Sequence, residues 1–221
     1  MINMLLYSEG KTEHGYDEYK KREWVHTDGV IQIYLQKLAG GNFCIINKTR
    51  NDIKKFRVIP HVKKYTNESQ LKARKIAGVA QQECCKYIAC HRDEDNKGFD
   101  EVYRKVRDCF TVAEEHGMFG LPIVPMHMTE SWLLSDTGAF PSVPNKPALP
   151  KKPEKTWGNP DSEQHPKKYI KRVLNQFNLQ PSTDTYCEIA EKSNISVIRE
   201  RCPVSFGRFC DDMKELIGNT N

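Results

Sequence analysis

No apolar run in this sequence approaches the ~20 residues that a membrane-spanning helix requires, and hydrophobic residues make up 38% of the chain against 29% charged. No basic segment accompanies the short apolar start, Met-Ile-Asn-Met-Leu-Leu ahead of Tyr7, so no signal peptide is expected. No Cys-x-x-Cys occurs. The eight cysteines stand at 44, 84, 85, 90, 109, 187, 202 and 210; Cys84 and Cys85 are adjacent, and Cys90-His91 lacks a second pair at zinc spacing. In 221 residues without export features, this argues against a disulfide framework and for buried, reduced thiols in a cytoplasmic protein. Internal repeats are missing, as is any block of like charge long enough for a disordered tail. Net charge is small: 34 basic minus 29 acidic residues gives +5, which permits nucleic-acid binding without arguing for it.

What is present is an alternation of short β-prone runs with helix-like stretches. Residues 2–8 (INMLLYS) read as a strand that turns at Gly10. Trp24, Val25, Ile31, Tyr34, Leu35 and Leu38 suggest helical pieces ended by Gly40-Gly41. "NFCIINKT" and "FRVIPHV" read as strands, 68–85 as a helix and 86–90 (KYIAC) as a strand. In "FDEVYRKVRDCFTVAEEHG", Val102, Val106, Phe110 and Ala113 recur at helical spacing, with Gly117 as the C-cap. Residues 121–127 (LPIVPMH) read as another strand, and "TESWLLSD" as a helix capped by Thr129. This order predicts an α/β sandwich around a mainly parallel sheet.

From 141 to 166 the character changes. Pro141, Pro144, Pro147, Pro150, Pro153, Pro160 and Pro166 interrupt any regular element, giving a linker or a long ordered loop. Beyond it, 167–179, 184–192 and 204–217 predict a small helical C-terminal extension packed on the sheet. The expected division is a core over 1–140, a proline-rich loop or linker over 141–166 and the extension over 167–221.

The stretch "LLYSEGKTEHGYDEY" places Gly-Lys-Thr directly after the first strand. A phosphate-binding P-loop needs an earlier glycine five residues before Gly10, where Leu5 stands inside the strand, so that reading fails. The acids around Gly10 fit better, since ligands in open α/β sheets gather at the carboxyl ends of strands. Glu9 closes the first strand and Glu13 follows by four; Asp93 and Asp95 close "KYIAC"; Glu130 follows "LPIVPMH". Each alone could be an ordinary helix-start or surface acid. Together, five carboxylates at one sheet edge repel one another, and a hard divalent cation such as Mg²⁺ or Mn²⁺ relieves that. Two alternatives for "HRDEDNKGFDEVYR" fail on detail. An EF-hand loop starting at Asp93 would put Lys97 fifth and Arg104 twelfth, and a kinase catalytic loop would meet Gly98 where it needs Asn.

"EGKTE" after the first strand, "DED" after a later one and "TESWLL" beyond resemble the Toprim domain, more narrowly the stand-alone Toprim-like proteins of unknown function related to OLD-family nucleases. The resemblance covers roughly residues 1–136. It implies a Rossmann-like α/β core with Glu9 as the leading glutamate, Asp93 and Asp95 as the DxD pair around Mg²⁺, and Glu13 as a supporting acid; Glu130 is the loosest match. It also implies a lysine near the cleaved phosphate. Lys11, Lys167 and Lys168 are the candidates, with Lys168 carried forward as catalytic beside Glu9, Asp93 and Asp95. Unlike full OLD proteins, the chain shows no ATPase domain, and relatives of this kind imply an ABC-type ATPase partner in anti-phage defence.

Lys151, Lys152, Lys155, Lys167, Lys168, Lys171 and Arg172, with Trp157 and Tyr169 among them, could hold a phosphate backbone or form a solvated helix face over core aromatics. The leading expectation is a Mg²⁺-dependent nuclease acting on DNA or RNA. The other two are a non-catalytic, metal-stabilised module that binds a partner ATPase, and a phosphoryl or nucleotidyl transferase. Self-association is left open.

Overall fold

The computed structural model describes residues 2–8, 10–20, 23–57, 68–141, 149–151, 153–155 and 165–218. Strand β1 (Ile2–Tyr7) leads into a four-residue helix α1 (Lys11–His14) and an antiparallel hairpin, β2 (Tyr16–Lys20) and β3 (Glu23–Thr27). Next come α2 (Val30–Ala39), β4 (Phe43–Lys48), α3 (Arg50–Lys55), α4 (Glu68–Gln82) and β5 (Tyr87–His91). Then follow α5 (Phe99–Arg107), α6 (Thr111–Glu115), β6 (Phe119–Ile123) and α7 (Glu130–Leu133). The chain closes with α8 (Pro166–Gln176), α9 (Thr183–Lys192), α10 (Ile195–Arg201) and α11 (Ser205–Gly218).

Four strands form one all-parallel sheet in the order β4-β1-β5-β6. Its middle strands are apolar on both faces, as a sheet covered by helices on two sides requires. Met4, Leu6, Tyr87 and Ala89 join one core with α2, α7 and the C-terminal helices. Leu5, Tyr7, Ile88 and Cys90, their immediate neighbours in sequence, join the second core with α4, α5 and α6. The period-2 alternation of strand side chains thus divides one apolar run between two cores. An α/β sandwich is what the element order predicted, and it is what the chain forms.

Strand order also fixes where a crevice opens. From β1 the chain crosses to β4 on one side; from β5 it crosses to β6 on the other. The connections therefore diverge between β1 and β5, the position where open parallel sheets receive ligands at their carboxyl ends.

Several local expectations change. Trp24 and Val25 lie in strand β3, not in a helix. "YDEYK" and "EWVHT" are joined by only two residues, the short connection of a hairpin. Gly15 at the hairpin base has φ +84°, and a Cβ there would overlap the Thr27 carbonyl, so only glycine fits. The helix expected over 99–117 is broken by a 3₁₀ turn at Asp108–Phe110, with Gly117 just beyond its end at φ +73°. Helix α10 was not anticipated. The strand expected over 56–62 falls, beyond Arg57, outside the described residues. All eight cysteines are free; six are buried, while Cys44 and Cys84 are exposed.

The C-terminal helices share the core of the sheet, since one buried cluster runs from Met4 to Leu216. Lys37 of α2 donates to the carbonyls of Ala190, Glu191 and Ser193 at the end of α9, where a cation offsets the helix dipole. Within the proline-rich stretch, the buried carboxylate of Glu154 accepts from the amides of Val204 and Ser205 and from the Ser205 hydroxyl, at the start of α11. Ser205 Oγ in turn accepts from the indole of Trp132, a fully buried side chain. That part of the loop is bound to the core.

Candidate functional site

At the crevice between β1 and β5 lies a cavity of about 440 Å³, lined by Gly10, Thr12, Glu13, Asp93, Asp95 and Lys167, with His91, Arg92 and Lys97 completing it. Three of the acids read from the sequence therefore open into one space. Glu9, the fourth, lies outside the described residues. Glu130 is 7% exposed and does not line the cavity, yet it feels the charges of Asp93, Lys167 and Glu13.

The loop after β5 is held by a continuing backbone ladder. The amides of Arg92, Glu94 and Asp95 donate to the carbonyls of Ile123 at the end of β6 and of Pro125 and His127 beyond it, each at 3.0–3.1 Å. Within "DED" the three acids divide by role. Glu94 is buried and accepts from the backbone amides of Asn96, Gly98 and His127. It organises the loop from inside, while Asp93 and Asp95 on either side of it face the cavity. Asp95 has φ +52°, in the left-handed region that Asp tolerates better than most residues.

Asp93 is oriented by Thr129. Thr129 donates its amide (3.0 Å) and its hydroxyl (3.2 Å) to Asp93 Oδ1. Because that hydroxyl proton is committed, the 3.0 Å contact between Thr129 Oγ1 and His91 Nε2 requires the histidine to donate. Thr129 was expected to cap α7, but its side chain makes no capping bond there. Its hydroxyl instead donates to the Asp93 carboxylate, and its oxygen accepts from His91. Buried His91 and Thr129 are the site residues that the sequence reading missed; the only available signal was His91 at the end of a β-prone run.

After β1 the arrangement is looser. Gly10 accepts from the amides of Glu13 and His14 at 3.3 and 3.4 Å, within a single helical turn. A Cβ on Gly10 would overlap Glu13 Oε2, so glycine is needed for this carboxylate to lie against the turn. Lys167, at the start of α8, lines the cavity; its neighbour Lys168 is exposed and does not. Of the remaining basic candidates, Arg172 stacks on the Tyr169 ring at 4.7 Å, Lys151, Lys155 and Lys171 are exposed, and Lys152 and Trp157 lie outside the described residues.

The electrostatics are those of crowded acids. Burial first, and the charge of Asp93 second, push the Asp95 carboxyl above its ordinary range, while Lys97, Lys167 and Arg92 pull it back. Burial and then Asp93 push Glu130 up to about 7, again opposed by Lys167. The donors facing the cavity, Glu13, Asp93 and Asp95, are all hard carboxylate oxygens, a set suited to Mg²⁺ or Mn²⁺. Among the described residues, however, no three His, Cys, Asp or Glu side chains stand close enough together to hold an ion as they are placed.

Residues 91–214 match the family described as a domain of unknown function, DUF4276. The chain belongs to the DUF4276 family. The DUF4276 match begins at the last residue of β5 and ends within α11, so it contains Asp93, Asp95, Glu130 and Lys167 but not Glu9, Gly10 or Glu13. No curated protein and no solved structure matches the chain. Among the described residues of this DUF4276 protein, no helix is long and apolar enough to cross a membrane.

Proposed function

We propose that the protein is a Mg²⁺-dependent, Toprim-like nuclease that hydrolyses phosphodiester bonds, working in the cytoplasm. The observation that carries this reading is the meeting of Glu13, Asp93, Asp95 and Lys167 in one cavity at the divergence of β1 and β5. Glu13, Asp93 and Asp95 would hold the ion, joined by Glu9 in the reading taken from the sequence. A divalent cation there supplies charge neutralisation at the phosphate and acidifies water.

The chain's own groups account for the rest. Thr129 and His91 keep one carboxylate oxygen of Asp93 in a fixed direction, as supporting hydrogen bonds do around metal ligands. Lys167 offers its ammonium to the non-bridging phosphate oxygens, where negative charge grows as water adds to phosphorus and the ester P–O bond breaks. Glu130, with its carboxyl at about 7, can hold or release a proton near neutrality. Glu13 sits on a one-turn helix with two long hydrogen bonds, and it would join Asp93 and Asp95 in holding the ion. In the OLD-like reading an ATPase partner would act in trans.

The test is cleavage of plasmid DNA, single-stranded DNA and tRNA with Mg²⁺ or Mn²⁺, with and without a co-expressed partner ATPase. Cleavage by wild type and none by Asp93→Ala is expected. Equal activity in the two proteins removes Asp93 from the reaction. Metal-induced thermal stabilisation with no cleavage of any substrate replaces the nuclease with a metal-stabilised binding module.

A further inference from the structure

A second cavity, of about 540 Å³, opens beside the first and is cationic. Arg50 and Lys54 from α3, Lys72 and Lys75 from α4, and Arg92 after β5 line it around the ring of Tyr7. Arg92 lines both cavities, so the two adjoin at that side chain. Glu68 is the only acid among the described residues that line the cationic one. Among the described residues, no acid forms an ion pair with these cations. Lys75 donates to the Lys54 carbonyl and Lys72 lies 4.8 Å over the Tyr7 ring, contacts that position the ammonium groups and leave their charge in place.

Each helix contributes a pair one turn apart, Arg50 with Lys54 and Lys72 with Lys75, so each pair shares a helix face. Two such faces with Arg92 make one cationic lining that adjoins the acids at Arg92. A lone phosphate would use one or two of these groups. A chain of phosphates would use all of them, and the gain from each neutralised pair would add.

We propose that this cavity binds the backbone of a single nucleic-acid strand on one side of the phosphate placed at Asp93. The site rests on the nuclease reading for the position of that phosphate, but it binds without a metal. Tyr7 is buried in the second core, and its ring holds the Lys72 ammonium in place at the cavity wall.

Binding is measured in EDTA, by fluorescence anisotropy of a labelled single-stranded oligonucleotide long enough to span both cavities, over a range of salt. Two double variants are compared with wild type: R50A/K54A, whose side chains are exposed and outside the core, and K72A/K75A. Thermal melts confirm that each is folded. Each pair should weaken binding at least ~10-fold at low salt and reduce the slope of log affinity against log salt by about 1.4, the loss expected for two phosphate contacts on a single strand. Asp93→Ala should bind as wild type does or better. Unchanged affinity and slope in both double variants overturns the proposal even if the protein cuts nucleic acid. A wild type that ignores the strand but binds inorganic tripolyphosphate also overturns it, in favour of a small-phosphate site. Strand binding through these lysines with no cleavage under any metal leaves the proposal standing and removes the nuclease reading.

Discussion

The turn after β1 and the loop after β5 deliver carboxylates to the same cavity but are built differently. The β5 loop is laddered to the β6 loop by three backbone bonds, pinned by Glu94 from inside, and has Asp93 held by Thr129. The β1 turn has one helical turn, two bonds of 3.3 and 3.4 Å, and a glycine that makes room for Glu13. One acid is fixed in advance and the other can adapt. Under the proposed function, a site assembled this way would hold its reference point rigid and complete itself when an ion or substrate arrives.

The largest expected break of that contrast is Asp93→Ala, which should lower metal-dependent cleavage by about 10³-fold while leaving the melting temperature within a few degrees, checked by plasmid nicking and calorimetry. Glu94→Ala removes a buried acceptor from three amides, so the β5 loop should lose its shape. Denaturant unfolding should show a loss of about 3 kcal/mol, whereas Glu13→Gln on the adaptable side should cost under about 0.5 kcal/mol.

Glu130 gives a pH signature in metal-free protein. Its native carboxyl, at about 7, binds a proton more tightly than the unfolded chain with its ordinary carboxyl near 4.5. Stability is therefore greatest at acid pH and falls as pH rises through 4.5 to about 7. Glu130→Gln should flatten that fall and be more stable than wild type above neutrality by up to about 3 kcal/mol, read from urea unfolding across pH.

Thr129→Val keeps the shape but removes the hydroxyl between His91 and Asp93. It should weaken metal affinity about 10-fold by calorimetric titration. The smallest effect is expected at Gly10: Gly10→Ala displaces the flexible Glu13 carboxylate and should reduce activity only several-fold, against about 10³-fold at Asp93, with stability changed by under about 1 kcal/mol. If Gly10→Ala matches Asp93→Ala in activity, the β1 turn is as fixed as the β5 loop and the contrast is wrong.

How much of this could be read beforehand differs by kind of residue. Local patterning disclosed the sheet strands, the α/β class, Gly40 as the end of α2 and the glycine beyond the broken α5–α6 stretch, because each depends on neighbours within a turn or two. The hairpin was mistaken for helix because Trp24 and Val25 were grouped with the apolar residues of α2, and no clean alternation in 16–27 marks the two strands. Acids after β1 and β5 were visible as letters. That Glu94 points inward while Asp93 and Asp95 point to the cavity depends on amides of Asn96, Gly98 and His127, of which the last is contributed by a loop beyond another strand. Thr129 likewise looked like a cap, since a short-range role is the one that spacing suggests.

Composition and pattern alone settle the class of fold, the lack of a membrane-length apolar run and the inventory of acids and bases, since these follow from side-chain chemistry and local periodicity. Strand order belongs to the folded chain. Because β5 adds beside β1 on the side opposite β4, Glu13 and Asp93 open into one crevice, Lys167 rather than Lys168 reaches it, and Arg92 joins it to the cations of α3 and α4. Those pairings join residues far apart in sequence, and no local propensity encodes them. Packing of the two cores on either side of the sheet brings them together.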